Sequence, residues 1–164
     1  MKGYNYSADG AYFITFCIKD GHDTLGKIVV GHDAPGAPSS RNAPDMPYMQ
    51  LSEYGTIIHK EIMGTPSHYH NVTIDKFVVM PNHVHMIIVI RNGDGAPRAS
   101  RPTNALIPSI VAMLKKKTNK MYEFTMWQDS YHDHIIRNEE EYRKIWKYID
   151  ENPRKWKEDR YYND

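Results

Sequence analysis

Cysteine is almost missing from this chain. Cys17 stands alone among 164 residues, which excludes an internal disulfide framework and fits a reducing compartment, so the cytoplasm is the expected location. Charge of one sign is missing too. The 21 Lys and Arg are nearly cancelled by 20 Asp and Glu, leaving a net charge of +1, so no global field argues for a polyanionic partner and any basic surface must be local. No apolar run approaches the roughly 20 residues that span a bilayer, and the Met-Lys-Gly-Tyr start lacks the apolar stretch of a signal peptide. No membrane association is expected. Phenylalanine is scarce at 4 residues, and the strand-like runs carry no evident aromatic platform of the kind that stacks RNA bases. Tyrosine and histidine, at 12 and 9, are instead plentiful, which favours a phenol or imidazole site without placing it.

The length and the 40% apolar, 25% charged composition fit one globular domain with a real core. AYFITFCIK, residues 11–19, mixes aromatic and β-branched residues with apolar side chains on both faces, and reads as an inner strand. Residues 20–47 are rich in Pro, Gly, Ser and Ala and read as a loop. QLSEYGTIIHKEIM, residues 50–63, places Leu51, Tyr54, Ile57, Ile58 and Ile62 at helical spacing, with Gly64 and Pro66 as stop signals. NVTIDKFVVMPNHVHMIIVI gives two β-rich runs separated at Pro81 and Asn82, hence a hairpin. Residues 92–104 read as a second loop, residues 105–122 as a helix, and residues 130–137 as a strand. Asn138 before three glutamates starts a last helix that Pro153 stops. The predicted class is therefore α+β: the split βαβ, ferredoxin-like order with an antiparallel sheet and an added C-terminal helix, as one domain over 1–164. That architecture hosts many activities, so a site must decide.

Three His-x-His pairs occur: His68 with His70, His83 with His85, and His132 with His134. Alternate residues of a strand share a face, so either strand-borne pair could chelate a metal. His68 and His70 sit in a polar segment and read as solvated. His83 and His85 open a strand that is apolar on both faces thereafter. A buried polar group without a partner costs on the order of 1 to 3 kcal/mol, so two side by side need either hydrogen-bonding neighbours in a core or a shared metal. On the last helix, Tyr142, Ile145, Trp146 and Ile149 form an apolar stripe. Tyr148 lies about 110° from its centre and Asn152 falls one turn further on the same side, at roughly 100° per residue. A phenol has a pKa near 10 and needs a cation or base to attack phosphorus, whereas an amide oxygen suits Mg²⁺ or Mn²⁺. The plainer alternative is that Tyr148 covers the core edge and Asn152 caps the helix.

The segments LSEYGTIIHKEI, NVTIDKFVVMPNHVHMIIVI and WQDSYHDHIIRNEEEYRKIWKYIDENPRKW together resemble the REP-associated tyrosine transposases, a branch of the single-tyrosine HUH transposases. PNHVH followed by YIDENP carries the resemblance, which covers the first strand and Leu51 to about Trp156. It implies a single HUH nuclease domain that cleaves and rejoins single-stranded DNA beside hairpins. His83 and His85 match the metal-binding histidines, Asn152 the polar residue that completes the metal site, and Tyr148 the nucleophile. The cofactor implied is Mg²⁺ or Mn²⁺, the product a 5′-phosphotyrosine link with a free 3′-hydroxyl, and the active unit a monomer or a homodimer. The Pro, Gly and Ala rich stretches depart from the family pattern, and few residues follow the last helix. Lys115, Lys116, Lys117 and Lys120 form the densest basic cluster; with His134, Arg137 and Lys144 they are the candidate DNA contacts. The competing readings are a noncatalytic DNA-hairpin-binding descendant, a zinc hydrolase using His83, His85 and a third histidine, and a ferredoxin-like RNA binder.

Overall fold

A computed structural model describes residues 9–31, 46–91, 106–122 and 125–163. Six strands and three helices follow in the order β1 (Gly10–Cys17), β2 (Gly26–Gly31), β3 (Met46–Leu51), α1 (Glu53–His68), β4 (Val72–Val79), β5 (His83–Ile90), α2 (Leu106–Tyr122), β6 (His132–Ile136) and α3 (Glu139–Glu151), and α3 runs on into a 3-10 segment, Asn152–Glu158. Four strands form one sheet in the order β4-β5-β1-β6, antiparallel throughout. The fold is the expected α+β, ferredoxin-like arrangement with an added C-terminal helix.

The period of 2 along β1 and β5 divides the sheet into two faces. Tyr12, Ile14 and Phe16 of β1 and Val84, Met86, Ile88 and Ile90 of β5 enter the main core, together with Ile58 and Ile62 of α1 and Ile107, Ile110, Val111 and Leu114 of α2. On the other face Ile87 and Ile136 pack with Ile149 of α3, flanked by Phe13, Tyr142 and Ile145. His83 and His85 share this second face with Ile87, and the β1 and β6 partners put His85, Thr15 and His132 in one row across the sheet. Apolar burial on both faces of β5 explains its unbroken hydrophobic sequence.

Several boundaries differ from those read in the sequence. The expected loop over residues 20–47 contains β2 and the start of β3, which pair as a separate two-stranded ribbon. The parts of it at 32–45, and the loop expected over residues 92–104, lie outside the described residues. Gln50 and Leu51 belong to β3, and α1 starts at Glu53 with Ser52 as its cap, the serine hydroxyl accepting the Gly55 amide at 3.1 Å. Pro66 does not stop α1, which continues to His68; the ring removes the one amide that would donate to the Ile62 carbonyl, close to the end of the helix. Trp146 was placed in the apolar stripe of α3 but stands 39% exposed, with the Lys76 ammonium 3.9 Å above its ring. The N-cap of α3 is Asn138, as expected, accepting the Glu141 amide at 2.9 Å.

Ser52 and Gly55 also lock α1 to the bend at Leu25, just before β2. The Ser52 amide donates to the Leu25 carbonyl at 2.9 Å, and a Cβ on Gly55 would lie 2.0 Å from that same oxygen. Gly55→Ala is therefore expected to destabilise the protein by about 1–3 kcal/mol, although alanine is the better helix former. Chemical denaturation of both proteins checks this; equal or higher stability of the variant would contradict it.

Candidate metal and tyrosine site

The turn that joins β4 to β5 sets the chemistry of the first histidine. Asn82 is 2% exposed and its side-chain amide donates to the carbonyls of Gly21 at 3.1 Å and Tyr161 at 2.8 Å. Those two acceptors fix which end of the amide is nitrogen. Its oxygen then faces His83 Nδ1 at 2.9 Å, so Nδ1 must carry the proton and Nε2 the lone pair. Hydrogen bonds of this kind, on the nitrogen away from a metal, orient histidine ligands. His85 is held from its other side by Thr15, with Oγ1 at 2.7 Å from Nδ1. A hydroxyl can donate or accept, so Thr15 permits either tautomer of His85.

The two Nε2 atoms lie 3.0 Å apart. Ligands about 2.1 Å from a common ion and at right angles around it stand about 3.0 Å from one another, so the pair is spaced to share one. Burial, then the adjacent His85 imidazole, holds His83 well below the ordinary histidine pKa; burial also lowers His85, against the opposing pull of Asp159. Both are therefore neutral at pH 7, the form that binds metals.

Tyr148 comes to these histidines from α3, and Asn152, at the end of that helix, is linked to them through Asp159. Tyr148 is 39% exposed, with its hydroxyl 3.0 Å from His85 Nε2. Phe13 meets it edge-on, with ring centroids 6.1 Å apart. Asn152 is buried, and its Oδ1 has no hydrogen-bond partner among the described residues. An orphaned amide oxygen is expensive unless a donor reaches it or a cation binds it.

Asp159 completes the cluster and was not foreseen. Its Oδ2 accepts the Tyr148 hydroxyl at 2.8 Å and the Asn152 amide at 2.6 Å, and its Oδ1 accepts the Tyr161 amide at 2.8 Å. By taking the nitrogen of Asn152 it leaves Oδ1 as the free end. Burial raises the Asp159 pKa, but the surrounding His85, Tyr161 amide, Asn152 and Tyr148 outweigh it and hold the carboxyl well below the usual range. Oδ2 lies 4.0 Å from His85 Nε2, too far for a hydrogen bond. It is near enough to share an ion, since one donor atom from each of His83, His85 and Asp159 falls within 4.8 Å of the others. His83, His85 and Asp159 could hold a metal ion. The Tyr148 phenol is pushed up, first by burial and then by this carboxylate, so with no cation beside it Tyr148 is a neutral hydrogen-bond donor.

The chain after α3 shields the site. Tyr161 stacks on His83 with centroids 4.6 Å apart, and Trp156 lies 5.8 Å from the same ring. Beside Tyr148 a groove of about 410 Å³ opens between Lys147, Glu151, Asn152, Lys155 and Asp159. Tyr142, the other tyrosine of α3, bonds instead to Asp75 at the bulge of β4, 2.5 Å away.

Of the candidate DNA contacts, Lys144 lines the groove beside Tyr148. Lys115 Nζ donates to the carbonyls of Gln128, Asp129 and Ser130 at 2.6, 3.3 and 2.8 Å, and so braces a turn. Lys117 pairs with Glu61 at 2.6 Å, Lys144 with Glu140 at 2.6 Å and His134 with Glu141 at 2.7 Å. Lys116, Lys120 and Arg137 are exposed. His132 and His134 stand on β6, outside the metal-capable cluster. Trp127 is core, 1% exposed, with its indole donating to Thr118 at 2.7 Å.

The chain is 31% identical to an uncharacterized protein of Haemophilus influenzae over 182 residues, which takes in 100% of this chain and 91% of that one. It belongs to the same family. No protein-family model matches the chain. In three dimensions it is similar to a REP-associated tyrosine transposase bound to a REP hairpin, with a TM-score of 0.54 and 20% identity, over 93% of this chain and 73% of that one. The chain thus shares the fold of that transposase. No helix among its described residues is long and apolar enough to cross a membrane.

The buried site makes folding sensitive to acid. His83 and His85 have folded pKa values below their unfolded value near 6.5, so below that pH the unfolded chain binds protons that the folded chain does not, and stability falls. Urea titrations of metal-free protein are expected to show stability declining from about pH 7 to about pH 5, and a His83→Gln, His85→Gln double variant to decline less. A wild-type profile flat across that window would contradict the burial of two neutral imidazoles.

Proposed function

We propose that this chain is a metal-dependent endonuclease and transposase that cleaves and rejoins single-stranded DNA next to hairpins, acting as a single nuclease domain through a 5′-phosphotyrosine intermediate. Tyr148 is the nucleophile, and His83, His85 and Asn152 are the ligands of Mg²⁺ or Mn²⁺, with Asp159 in reach of the same ion. One observation carries the reading: the Tyr148 hydroxyl lies 3.0 Å from a histidine nitrogen of a buried, metal-capable cluster. The fold shared with a hairpin-bound REP-associated transposase supports the substrate class.

Two imidazole nitrogens and one or two oxygens are a mixed donor set, which Mn²⁺ accepts readily and Mg²⁺ accepts less often. When bound, the cation would polarise the scissile phosphate and lower the cost of a phenolate beside it. Everything else falls to the chain. Asn82 and Thr15 hold the imidazoles in place, Asp159 holds the phenol and the Asn152 amide, and Phe13 braces the tyrosine ring. Tyr148 Oη bonds to phosphorus, the bond from phosphorus to O3′ breaks, and the phenolic proton ends on the departing 3′ oxygen. Rejoining runs the same exchange backwards with a 3′-hydroxyl as nucleophile, so the bond energy is conserved and no nucleotide triphosphate is consumed.

A second reading keeps the metal and drops the tyrosine. His83, His85 and Asp159 form a two-histidine, one-carboxylate set of the sort that holds catalytic zinc. The third donor in that reading is this carboxylate; no third histidine joins the cluster among the described residues.

The deciding experiment incubates the protein with labelled hairpin oligonucleotides carrying single-stranded flanks, in Mn²⁺ or Mg²⁺, and looks for a covalent protein–DNA band on a denaturing gel. The band is expected with the wild type and with Tyr142→Phe, and is expected to vanish with Tyr148→Phe or with chelator. Cleavage without a band that survives Tyr148→Phe would replace this reading with the zinc hydrolase, and binding without cleavage would favour a noncatalytic descendant.

A further inference from the structure

The cations that surround Tyr148 are nearly all neutralised. Along α3 and just beyond it Lys144 pairs with Glu140, Lys147 with Glu151 at 3.6 Å, and Lys155 with Glu151 at 2.8 Å, which is the i,i+4 ladder of a solvated helix. Arg160 differs. It is exposed, and among the described residues no carboxylate lies within ion-pair distance of it. Its guanidinium stacks over the Tyr161 ring, 4.6 Å from the centroid, and donates through Nη2 to the Tyr161 hydroxyl. Tyr161 in turn packs its ring on His83 and His85. Arg160 is thus mounted on the aromatic wall of the metal-capable cluster, one residue after Asp159. Its charge is felt at His83, His85 and Tyr148, each of which it biases toward the deprotonated form.

We propose that Arg160 is a phosphate-binding residue of this site, which grips the backbone of single-stranded DNA beside Tyr148 through its guanidinium fork. The inference rests on the reading of the site as a DNA-cleaving centre. Charge accounting gives it a reason. With neutral histidines and a neutral phenol the cluster carries the single negative charge of Asp159; a divalent cation leaves one positive charge, which one phosphodiester cancels. The negative charge that builds on the phosphoryl oxygens as Oη attacks then needs a further cation, and the paired lysines of α3 do not provide one. A planar, preorganised guanidinium, whose hydrogen bond to Tyr161 uses Nη2 alone, suits two phosphate oxygens.

Binding tests this independently of cleavage. In a Tyr148→Phe background, loaded with Mn²⁺, the affinity for fluorescein-labelled hairpin oligonucleotides with randomised single-stranded flanks is measured by anisotropy across a range of salt. Arg160→Gln is expected to weaken binding roughly tenfold, the effect of one charged hydrogen bond. The slope of log affinity against log salt should also fall by about 0.7, the share of one single-strand phosphate contact. Arg160→Lys is expected to restore the slope and only part of the affinity. Tyr161→Phe, which keeps the ring and removes the hydroxyl that holds the guanidinium, should weaken binding by less than Arg160→Gln. An unchanged affinity and salt slope in Arg160→Gln, with Mn²⁺ affinity and melting temperature also unchanged, would overturn the proposal even where the wild type forms its covalent band. Absence of that band with a full Arg160 effect on binding would overturn the cleavage reading and leave the phosphate contact standing.

Discussion

Two neutral imidazoles held nitrogen to nitrogen inside the protein are the constraint around which the rest of this structure is arranged. His83 and His85 sit on β5, one of the two inner strands of the sheet, on the face that α3 covers. Exposed, they would be ordinary solvated histidines. Buried, each ring needs a partner for both nitrogens, and the fold supplies the outer ones: Asn82 from the turn for His83, Thr15 from β1 for His85. The inner nitrogens are left to face each other at 3.0 Å, an arrangement that is tolerable as a single shared proton and better satisfied by a cation.

The same constraint explains the position of the chain after α3. Asp159 brings a carboxylate oxygen to 4.0 Å from His85 Nε2 and holds the Asn152 amide, while Trp156 and Tyr161 wall the histidines from solvent. Tyr148, reaching in from the exposed side, is the one member of the cluster with substantial access to water. The group that could hold a metal thus lies in the interior and the proposed nucleophile at the boundary, where a polymer could approach without unfolding anything. The α1 and α2 face of the sheet contributes no atom to the site; it supplies most of the core and so the rigidity that holds the cluster's distances.

Much of this was readable in the sequence because it depended on local periodicities. The alternation of His83 and His85 put both on one face, the break at Pro81 and Asn82 gave the hairpin, and the four-residue spacing of Tyr148 and Asn152 put them on one side of α3. Asn138 before three acids located the start of that helix. What escaped depended on long-range packing. β2 offers only Lys27, Ile28, Val29 and Val30 between glycines, and β3 contains Pro47, so neither signals a strand until the other pairs with it. Asp159 lies past the helix, where a 3-10 segment and a change of direction bring it back, and no periodic spacing links it to Tyr148. Charge is visible in a sequence and its partners are not, so the contacts within the lysine run could not be read there: Lys115 holds three carbonyls and Lys117 a glutamate, while Lys116 and Lys120 are exposed.

The central claim is that His83, His85 and the oxygens delivered by the last helix and its extension form one metal site beside Tyr148. Anomalous diffraction from crystals grown with Mn²⁺ tests it most directly. The account requires a single strong peak within bonding distance of both Nε2 atoms and of Asn152 Oδ1, Asp159 or both, with the Tyr148 hydroxyl next to it. A crystal saturated with Mn²⁺ that shows no peak there, or shows its peak at His132 and His134 instead, would contradict it.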